Sequence, residues 1–331
     1  MSKISECVEG QRIAGKFVVW EKAFVKDYTK GKFFKITISD GEAKIPLKFW
    51  GMPIHSKVME FYEAIQPSKT LVEIEGDVVM DTYSNELTVN INEEKDMFRI
   101  CTDEEAKGLQ LVPITKKNRE ELMKFIESEI GKIVDPNLGA LLKSIFADEN
   151  LKKSFMESPA AKMKHHAYIG GLLEHTCNVV RLCSTLCELY PELNRDLLIT
   201  AAILHDLGKI QEYSVSLAID TTDAGRFLTH TYISIEIIET KLRQLSVFPE
   251  QLKWKLYHII LRHHGRFAVQ ETIEGKISWV IPEACALYYA DDMDARVKNF
   301  LQEIEEGRRA GESWRFVKDL GVQIYIEDED E

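Results

Sequence analysis

Apolar and polar residues alternate along much of the first hundred positions, which is the period of two expected of half-buried strands. After the β-rich run "GKFVVWEKAFV", the segment "KFFKITISDGEAKIPLKFW" predicts two strands joined at Asp40-Gly41, a pair typical of hairpin turns. A helix is predicted over about Pro53 to Ile65, and "TLVEIEGDVVMDTYSNELTVNI" then predicts two strands around a Ser84-Asn85 turn. The order β-β-β-α-β-β predicts an all-β N-terminal domain, a five-stranded OB barrel.

The second and third strands have two chemically different faces. The period of two points one set of side chains into the barrel: Phe34, Ile36, Ile38, Ile45, Leu47 and Phe49. It places a second set on the opposite face: Phe33, Lys35, Lys44, Lys48 and Trp50. Aromatic rings between lysines suit the stacked bases and phosphates of a single strand. The alternative interpretation is that Phe33 and Trp50 pack on a neighbouring element.

From about residue 113 the apolar period becomes helical, with Pro113, Pro136 and Pro159 as breaks. After Pro159 the pattern predicts an almost wholly helical chain to about Leu320. The chain therefore divides into an OB domain at 1–105, a helical linker region at 106–160, an all-α domain at 161–320 and an acidic tail at 321–331.

Charge and cysteine content narrow the class of protein. The formal net charge of −12 argues against indiscriminate nucleic-acid adhesion, yet the segment from Arg12 to Lys57 holds ten basic and only four acidic residues. The six cysteines form no CxxC pair, which favours reduced thiols. No apolar signal core opens the chain and no run approaches a membrane span. We therefore expect a cytoplasmic protein with no membrane segment.

Histidines and aspartates recur at the ends of apolar helices in the second half. In "AAILHDLGKIQEY", His205 and Asp206 end a helix that Asn194 is placed to cap and Gly208 to terminate. Other helices carry His175, His230, His263, His264 and Asp291. A lone helical histidine is commonly a hydrogen-bonded packing residue, but this ordered set offers the nitrogen and oxygen ligands of Fe, Mn, Zn or Co. The pattern therefore predicts a metal centre, in which an aspartate can bridge two ions.

Five motifs, "GGLLEHT", "ILHDLGK", "FLTHTYIS", "LRHHG" and "ALYYADDMDA", occur in this order. Together they resemble the HD-domain metal-dependent phosphohydrolase superfamily. With the preceding barrel, roughly residues 10 to 315 resemble the YhaM-type 3′-to-5′ exoribonucleases. The resemblance implies an OB barrel followed by an HD-domain helical bundle. It also implies an enzyme that releases mononucleotides from single-stranded RNA, with single-stranded DNA as a further partner.

The resemblance also implies roles for individual residues. The ligand core of the superfamily corresponds to His175, His205, Asp206 and Asp291, and the additional ligands of two-metal relatives correspond to His230 and one or both of His263 and His264. Two divalent ions are therefore expected, with Mn ahead of Fe, Co, Zn or Mg. Asp206 would bridge them, and Lys209 would contact the phosphate or assist the leaving group, which makes these two the expected catalytic residues. Gly171 stands where three-metal relatives carry an acid, so no third ion is expected.

Some roles and classes stay open at this point. His165 and His166 match a histidine pair of the same family, for which substrate contact and capping are both compatible. The alternative functions are a nucleotide phosphohydrolase or cyclic-nucleotide phosphodiesterase, a non-catalytic single-strand-binding protein, and a di-iron oxygenase. RNA over DNA is undecided. The oligomeric state is open as well, a homo-oligomer included.

Overall fold

A computed structural model of the chain describes residues 3–54, 56–109, 111–245, 247–265, 279–317 and 320–327. Two compact units are present: Met1–Pro113 with Val215–Asp220, and Ile114–Ser214 with Thr221–Glu331. The first unit is rich in strands and the second in helices, which confirms the coarse prediction. Among the described residues, no helix has both the length and the apolar character that a membrane span requires.

The first unit contains one sheet in the order β1-β2-β3-β5-β4-β6. Its strands are β1 (Arg12–Tyr28), β2 (Gly31–Ser39), β3 (Lys44–Trp50), β4 (Leu71–Asp81), β5 (Glu86–Asn92) and β6 (Met97–Ile100). It also holds a 3-10 turn at Ile4–Glu6 and the helices α1 (Val58–Ala64) and α2 (Asp103–Ala106). The long β1 pairs first with β4 and then with β2, and its register shifts twice where it pairs with β2, as bulges allow. Because β3 also pairs with β5 in parallel, each of β1 to β5 has at least two neighbours.

The side chains that face the interior of the sheet are those that the alternation predicts. All six side chains that the alternation points inward are at most 4% exposed: Phe34, Ile36, Ile38, Ile45, Leu47 and Phe49. The predicted hairpin is also confirmed, since Asp40 Oδ1 accepts the backbone N–H groups of Glu42 and Ala43 at 3.0 and 2.8 Å. Gly41 supplies the positive φ of 97° that this turn needs.

Two features of the first unit differ from the prediction. The helix begins at Val58 instead of Pro53, because Glu93 accepts hydrogen bonds from Met52 N, Ser56 Oγ and Lys57 N and so holds this stretch as a loop. A sixth strand, β6, follows the predicted five and pairs with β4. A strand of four residues is too short for a period of two to be recognised in the sequence.

The second unit is built mainly of helices. They are α3 (Arg119–Gly131), α4 (Pro136–Phe146), α5 (Glu149–Glu157), α6 (Gly171–Leu189), α7 (Arg195–Leu204), α8 (Lys209–Glu212), α9 (Asp223–Leu242), α10 (Glu250–Arg262) and α11 (Pro282–Ala310). Short strands β7 (Tyr213–Val215) and β8 (Ile219–Thr221), whose residues divide between the two units, pair with each other. Side-chain oxygens of Asn118, Asp135, Asp148 and Asn194 cap α3, α4, α5 and α7. The apolar side chains of these helices form one buried core. Those contributed by α6 and α7 are among its most buried residues.

The prediction of helix to about Leu320 is wrong at its end. Helix α11 stops at Ala310, where Gly311 adopts a left-handed φ of 68° and closes the helix. Two strands follow, β9 (Trp314–Val317) and β10 (Val322–Tyr325), which pair antiparallel. Strand β10 therefore lies in the segment predicted as an acidic tail, of which residues 328–331 lie outside the described part of the chain.

Candidate functional site

The pair His205 and Asp206 directly follows α7, whose residues from Leu197 to Leu204 are all buried. Asn194 caps the helix as predicted, its Oδ1 accepting the N–H of Leu197 at 3.0 Å. His205 and Asp206 are themselves at most 1% exposed. A rigid apolar helix thus carries an imidazole and a carboxylate into the interior, where both need polar partners.

Gly208 does not terminate α7 as predicted. The helix ends at Leu204, and Gly208 has an ordinary right-handed φ of −63°. A Cβ atom at this position would lie 2.0 Å from the carbonyl oxygen of His230. The glycine is therefore needed for the close approach of this turn to α9.

Four imidazoles direct Nε2 towards the carboxylate of Asp206. His175 and His205 lie 3.4 and 3.3 Å from Oδ2. His230 and His263 lie 3.5 and 3.6 Å from Oδ1. Each oxygen of Asp206 therefore faces its own pair of imidazole nitrogens.

Asp291 and His264 complete the cluster. Asp291 Oδ1 lies 3.1 Å from His175 Nε2, and its Oδ2 lies 3.8 Å from His264 Nδ1. His264 Nε2 is 2.8 Å from His230 Nε2, a contact between two ring nitrogens. All the residues predicted as ligands are thus brought together, with His263 and His264 both on the side of Asp206 Oδ1.

The other ring nitrogen, Nδ1, is occupied in four of these histidines. Each partner is an acceptor, either a backbone carbonyl or a carboxylate, so Nδ1 carries the proton. The Nδ1–H groups of His175, His205, His230 and His263 donate to Asp294, Ala202, Glu212 and Ile260 over 2.7, 2.8, 2.8 and 2.6 Å. This leaves the Nε2 atoms directed into the cluster, which is the arrangement of metal-bound histidines.

The distances between ligand atoms in the cluster suit a divalent cation. Both oxygens of Asp206 and the Nε2 of His263 are buried without a hydrogen bond, although Lys209 Nζ forms an ion pair with Oδ2 at 2.6 Å. Metal–ligand bonds of about 2.0–2.2 Å place neighbouring ligand atoms about 3.0–3.6 Å apart. The measured nitrogen–oxygen separations around Asp206, from 3.3 to 3.6 Å, lie within this interval.

The electrostatic field of the cluster favours positive charge. Burial alone would raise the pKa of Asp206, but Lys209 and the histidines outweigh it and hold that pKa well below its usual range. Burial likewise would raise the pKa of Asp291, and hydrogen bonding to His175 keeps it low. Although burial opposes a charged imidazole, Asp206, Asp291 and Asp294 together raise the pKa of His175 well above its usual value. The same carboxylates would stabilise a bound cation.

His230 enters the cluster through a strained turn inside α9. Thr229, just before it, has a φ of 61° and a ψ of 157°, which a β-branched residue rarely adopts. Glu212 holds the following residue twice: Oε1 accepts the backbone N–H of His230 at 3.3 Å, and Oε2 accepts its Nδ1–H. Such strain persists where surrounding contacts fix a side chain that has a functional role.

The structure separates the two histidines of the pair His165 and His166. His166 is fully buried, and its nitrogens contact Tyr168 Oη and Asp294 Oδ2, both at 2.9 Å. Of the two roles left open for this pair, substrate contact is not favoured for His166, because both of its ring nitrogens have partners within the protein. His165 is only partly buried. Its pKa is lowered to about 4, first by burial and then by the charge of Lys209.

Two carboxylates around the cluster were not predicted. Asp294 accepts hydrogen bonds from His175, His166 and Asn178, and Glu212 accepts two from His230. A sequence signal exists for Asp294, which lies one helical turn after Asp291 and so on the same face of α11. A comparable signal for Glu212 is absent, since it becomes a neighbour of His230 only through the fold.

On the first unit, the predicted aromatic face forms a cluster of rings. Phe33 and Trp50 stack with centroids 4.4 Å apart, and Phe24 and Tyr28 of β1 meet them edge-on. Trp50 Nε1 donates to Asn90 Oδ1 at 3.1 Å. Phe24 and Tyr28 were not predicted as part of this face. Nucleic-acid bases can stack on aromatic rings of this kind.

The lysines of the same face are not equally available. Lys48 Nζ is paired with Asp81 Oδ2 at 2.6 Å and lowers the pKa of that carboxyl group. Lys44 Nζ lies 3.7 Å from the centre of the Trp20 ring. Lys35 stands opposite Lys48 in the β2–β3 register, and within the described part of the chain it has no ion-pair partner. The positive charge of this face is therefore smaller than a count of its lysines suggests.

Comparisons with known proteins agree with this site. The HD domain family matches residues 172–296, which contain the whole set of predicted ligands. The 3′-5′ exoribonuclease YhaM of Bacillus subtilis (strain 168) is 28% identical over 301 residues, 87% of this chain and 88% of that protein. Those of Geobacillus sp. (strain WCH70) and Shouchella clausii (strain KSM-K16) are 28% and 29% identical, covering 87% and 85% of this chain and 85% and 82% of their own lengths. The predicted resemblance to YhaM-type proteins is confirmed.

Proposed function

We propose that this protein is a 3′-to-5′ exoribonuclease that hydrolyses the terminal phosphodiester bond of single-stranded RNA and releases mononucleotides. The observation that carries the proposal is the buried carboxylate of Asp206, each oxygen of which faces a pair of imidazole nitrogens. The relatives named YhaM, which cover most of the chain, support the same reaction class.

The cluster is proposed to hold two divalent cations, Mn²⁺ first among those that nitrogen and carboxylate ligands accept. One set of ligands would be His175, His205, Asp206 Oδ2 and Asp291. The other would be Asp206 Oδ1, His230, His263 and His264. Support comes from the division of the four imidazoles between the two oxygens of one carboxylate. When bound, the cations would supply Lewis-acid polarisation of the phosphodiester and activation of the attacking water.

The chain's own residues would prepare the site for a polyanion. Asp206 and Asp291 hold the ligand nitrogens in place, and the Nδ1 hydrogen bonds keep the imidazoles from rotating. Lys209 Nζ, beside Asp206 Oδ2, adds a fixed positive charge where negative charge develops on the phosphorus centre. Hydrolysis transfers the water oxygen to phosphorus and frees the 3′ oxygen of the preceding nucleotide, so the released mononucleotide keeps a 5′ phosphate.

The strand-rich unit is proposed to be an OB barrel that binds the substrate strand. Its closed circuit of strand pairs, with β1 beside both β2 and β4 and β3 parallel to β5, supports this fold. Phe33 and Trp50 would offer their stack to bases, and Lys35 would contact phosphates. Recognition by stacking tolerates any base sequence.

A product ladder tests the function directly. Single-stranded RNA labelled at its 5′ end, incubated with protein and Mn²⁺, should shorten one nucleotide at a time from the 3′ end. Turnover of free nucleotides or cyclic nucleotides, with the polymer intact, would contradict the proposal and favour the phosphohydrolase alternative. The same ladder on labelled DNA decides whether DNA is also a substrate.

Replacing Trp50 by Ala should weaken the use of long RNA while sparing short substrates. Stacking contributes about 1–3 kcal/mol per base, which corresponds to a rise in KM of roughly 5-fold to 150-fold for an RNA of about twenty nucleotides. The kcat on the same RNA and the turnover of a dinucleotide should stay within about twofold. Steady-state kinetics on both substrates measure the effect.

Tyr83→Ala is the matched control, because Tyr83 is a fully exposed aromatic residue of the same unit, in the turn between β4 and β5. It should leave KM unchanged. A thermal melt confirms that Trp50→Ala remains folded despite the loss of its contact with Phe33. Equal losses on the long RNA and the dinucleotide would show that the aromatic face does not bind the strand.

A further inference from the structure

We infer that Asp294 and Glu212 are positioning residues, each of which orients one imidazole in a different half of the metal cluster. Asp294 serves the half around Asp206 Oδ2, and Glu212 serves the half around Oδ1. The division into halves rests on the proposed two-cation site. The hydrogen bonds that carry the inference are independent of the reaction catalysed there.

Asp294 is the centre of a hydrogen-bond network. Its Oδ2 accepts the Nδ1–H of His175 at 2.7 Å and the Nε2–H of His166 at 2.9 Å. Its Oδ1 accepts from Asn178 Nδ2 at 2.8 Å. His166 Nδ1 contacts the hydroxyl of Tyr168 at 2.9 Å. The hydrogen bond from His175 Nδ1 to Asp294 fixes the ring so that its Nε2 is directed towards Asp206.

The placement of His166 is itself costly. Its backbone has a φ of 59°, and its carbonyl oxygen would lie 2.0 Å from a Cβ atom on Gly171, at the first residue of α6. A buried imidazole in a left-handed conformation is retained only where surrounding contacts require it. In this position His166 donates a hydrogen bond to Asp294. This bond holds the carboxylate in addition to its hydrogen bond with His175.

Glu212 acts on His230 in the same way from another element. It lies at the end of α8, and it accepts both the backbone N–H and the Nδ1–H of His230, at 3.3 and 2.8 Å. The backbone contact fixes the strained turn at Thr229, and the ring contact fixes the side chain. His230 Nε2 is thereby directed towards Asp206 Oδ1 and His264.

An amide of the same size cannot replace either carboxylate. Asp294 and Glu212 accept hydrogen bonds on both of their oxygens. In Gln at position 212 the NH₂ group faces an N–H group of His230 whichever way the amide is turned. In Asn at position 294 a neutral amide oxygen replaces the charged oxygen that His175 and His166 share. Hydrogen bonds to a charged acceptor are about twice as strong as those to a neutral one, so each imidazole is held less firmly.

Cobalt titration of the full chain, without RNA, tests the inference. Ligand geometry can be followed by the visible absorption of bound Co²⁺, and stoichiometry by elemental analysis. We expect Asp294→Asn and Glu212→Gln each to weaken one of two binding steps by about 10-fold to 100-fold, the range found for such supporting residues, and to leave the other step within about threefold. The double variant should weaken both steps.

Two surface variants serve as controls. Asp292 lies on the same helix as Asp294 and, among the described residues, forms an ion pair with Arg296 alone, and Glu236 is exposed on α9, so the controls are Asp292→Asn and Glu236→Gln. Both should titrate like the unmodified protein.

If Asp294→Asn does not fold, Asn178→Ala removes only the hydrogen bond to Oδ1 and should weaken the same step by about tenfold. Unchanged titrations of Asp294→Asn and Glu212→Gln, or equal weakening of both steps by either variant, would overturn the inference. If the RNA is not shortened but the cobalt titrations give the expected result, only the proposed function is contradicted.

Discussion

Replacement of Asp206 by Asn should lower the rate of RNA shortening by roughly 10³-fold or more. The two oxygens of Asp206 face four imidazole nitrogens and one ammonium group, so its negative charge serves both halves of the cluster. Charge stabilisation by metal ions in such a site amounts to several kcal/mol, and each 1.4 kcal/mol corresponds to a factor of ten. Single-turnover decay of the 5′-labelled RNA ladder measures the rate.

The substitution keeps the shape of the side chain, so a loss of folding can be separated from a loss of chemistry. Circular dichroism should be unchanged, and binding of a twenty-nucleotide RNA, followed by fluorescence anisotropy, should persist through the strand-rich unit. Asp292→Asn, a carboxylate on the surface of α11, should retain full activity. Shortening of RNA by Asp206→Asn at an undiminished rate would remove the helical site from the mechanism.

The inner face of the sheet could be predicted because alternation specifies it directly. A shift of one residue would turn every side chain of a strand to the other face. Six inward positions from Phe34 to Phe49 were assigned on that basis and all are buried. The predicted ligands lie together for a related reason. Each lies on a helix with an apolar face or directly after one, and polar residues beside such faces are brought together when the helices pack around one core.

The supporting residues were not predicted as parts of the site, because their partners are remote in sequence. Asp294 and His175 are separated by 119 positions, and an isolated acidic residue on a helix is usually solvated. The same difficulty explains His166, whose environment comes from α6 and α11 as well as from Tyr168 of its own segment. Only packing shows that these side chains are buried and share one hydrogen-bond network.

Charge counted along the sequence was a poor guide to the charge of a surface. The segment between Arg12 and Lys57 holds ten basic residues and only four acidic ones. In the fold, Asp81 of β4 pairs with Lys48 across the sheet, and the Trp20 ring lies under Lys44. The aromatic stack of Phe33 and Trp50 is therefore a better candidate for strand binding than the lysines beside it.

Removal of divalent ions should abolish RNA shortening and also lower the thermal stability of the helical unit. The carboxylates of Asp206 and Asp291 are held charged in the interior, and Asp206 Oδ1 is buried without a hydrogen bond, so a cation relieves an electrostatic cost of the fold. A ligand at about 100 times its Kd stabilises the folded state by about 2.7 kcal/mol. For a unit of this size that corresponds to roughly 5–10 °C in Tm.

Differential scanning fluorimetry of chelator-treated protein, with and without added Mn²⁺, measures this shift, and the RNA ladder run on the same samples measures activity. Both should recover together as Mn²⁺ is restored. Asp206→Asn is the matched control, since removal of the shared carboxylate should leave Tm nearly independent of Mn²⁺. A Tm that does not respond to Mn²⁺ in the unmodified protein, together with full activity in chelator, would show that the cluster of histidines and aspartates is held by its own hydrogen bonds and works without a cation.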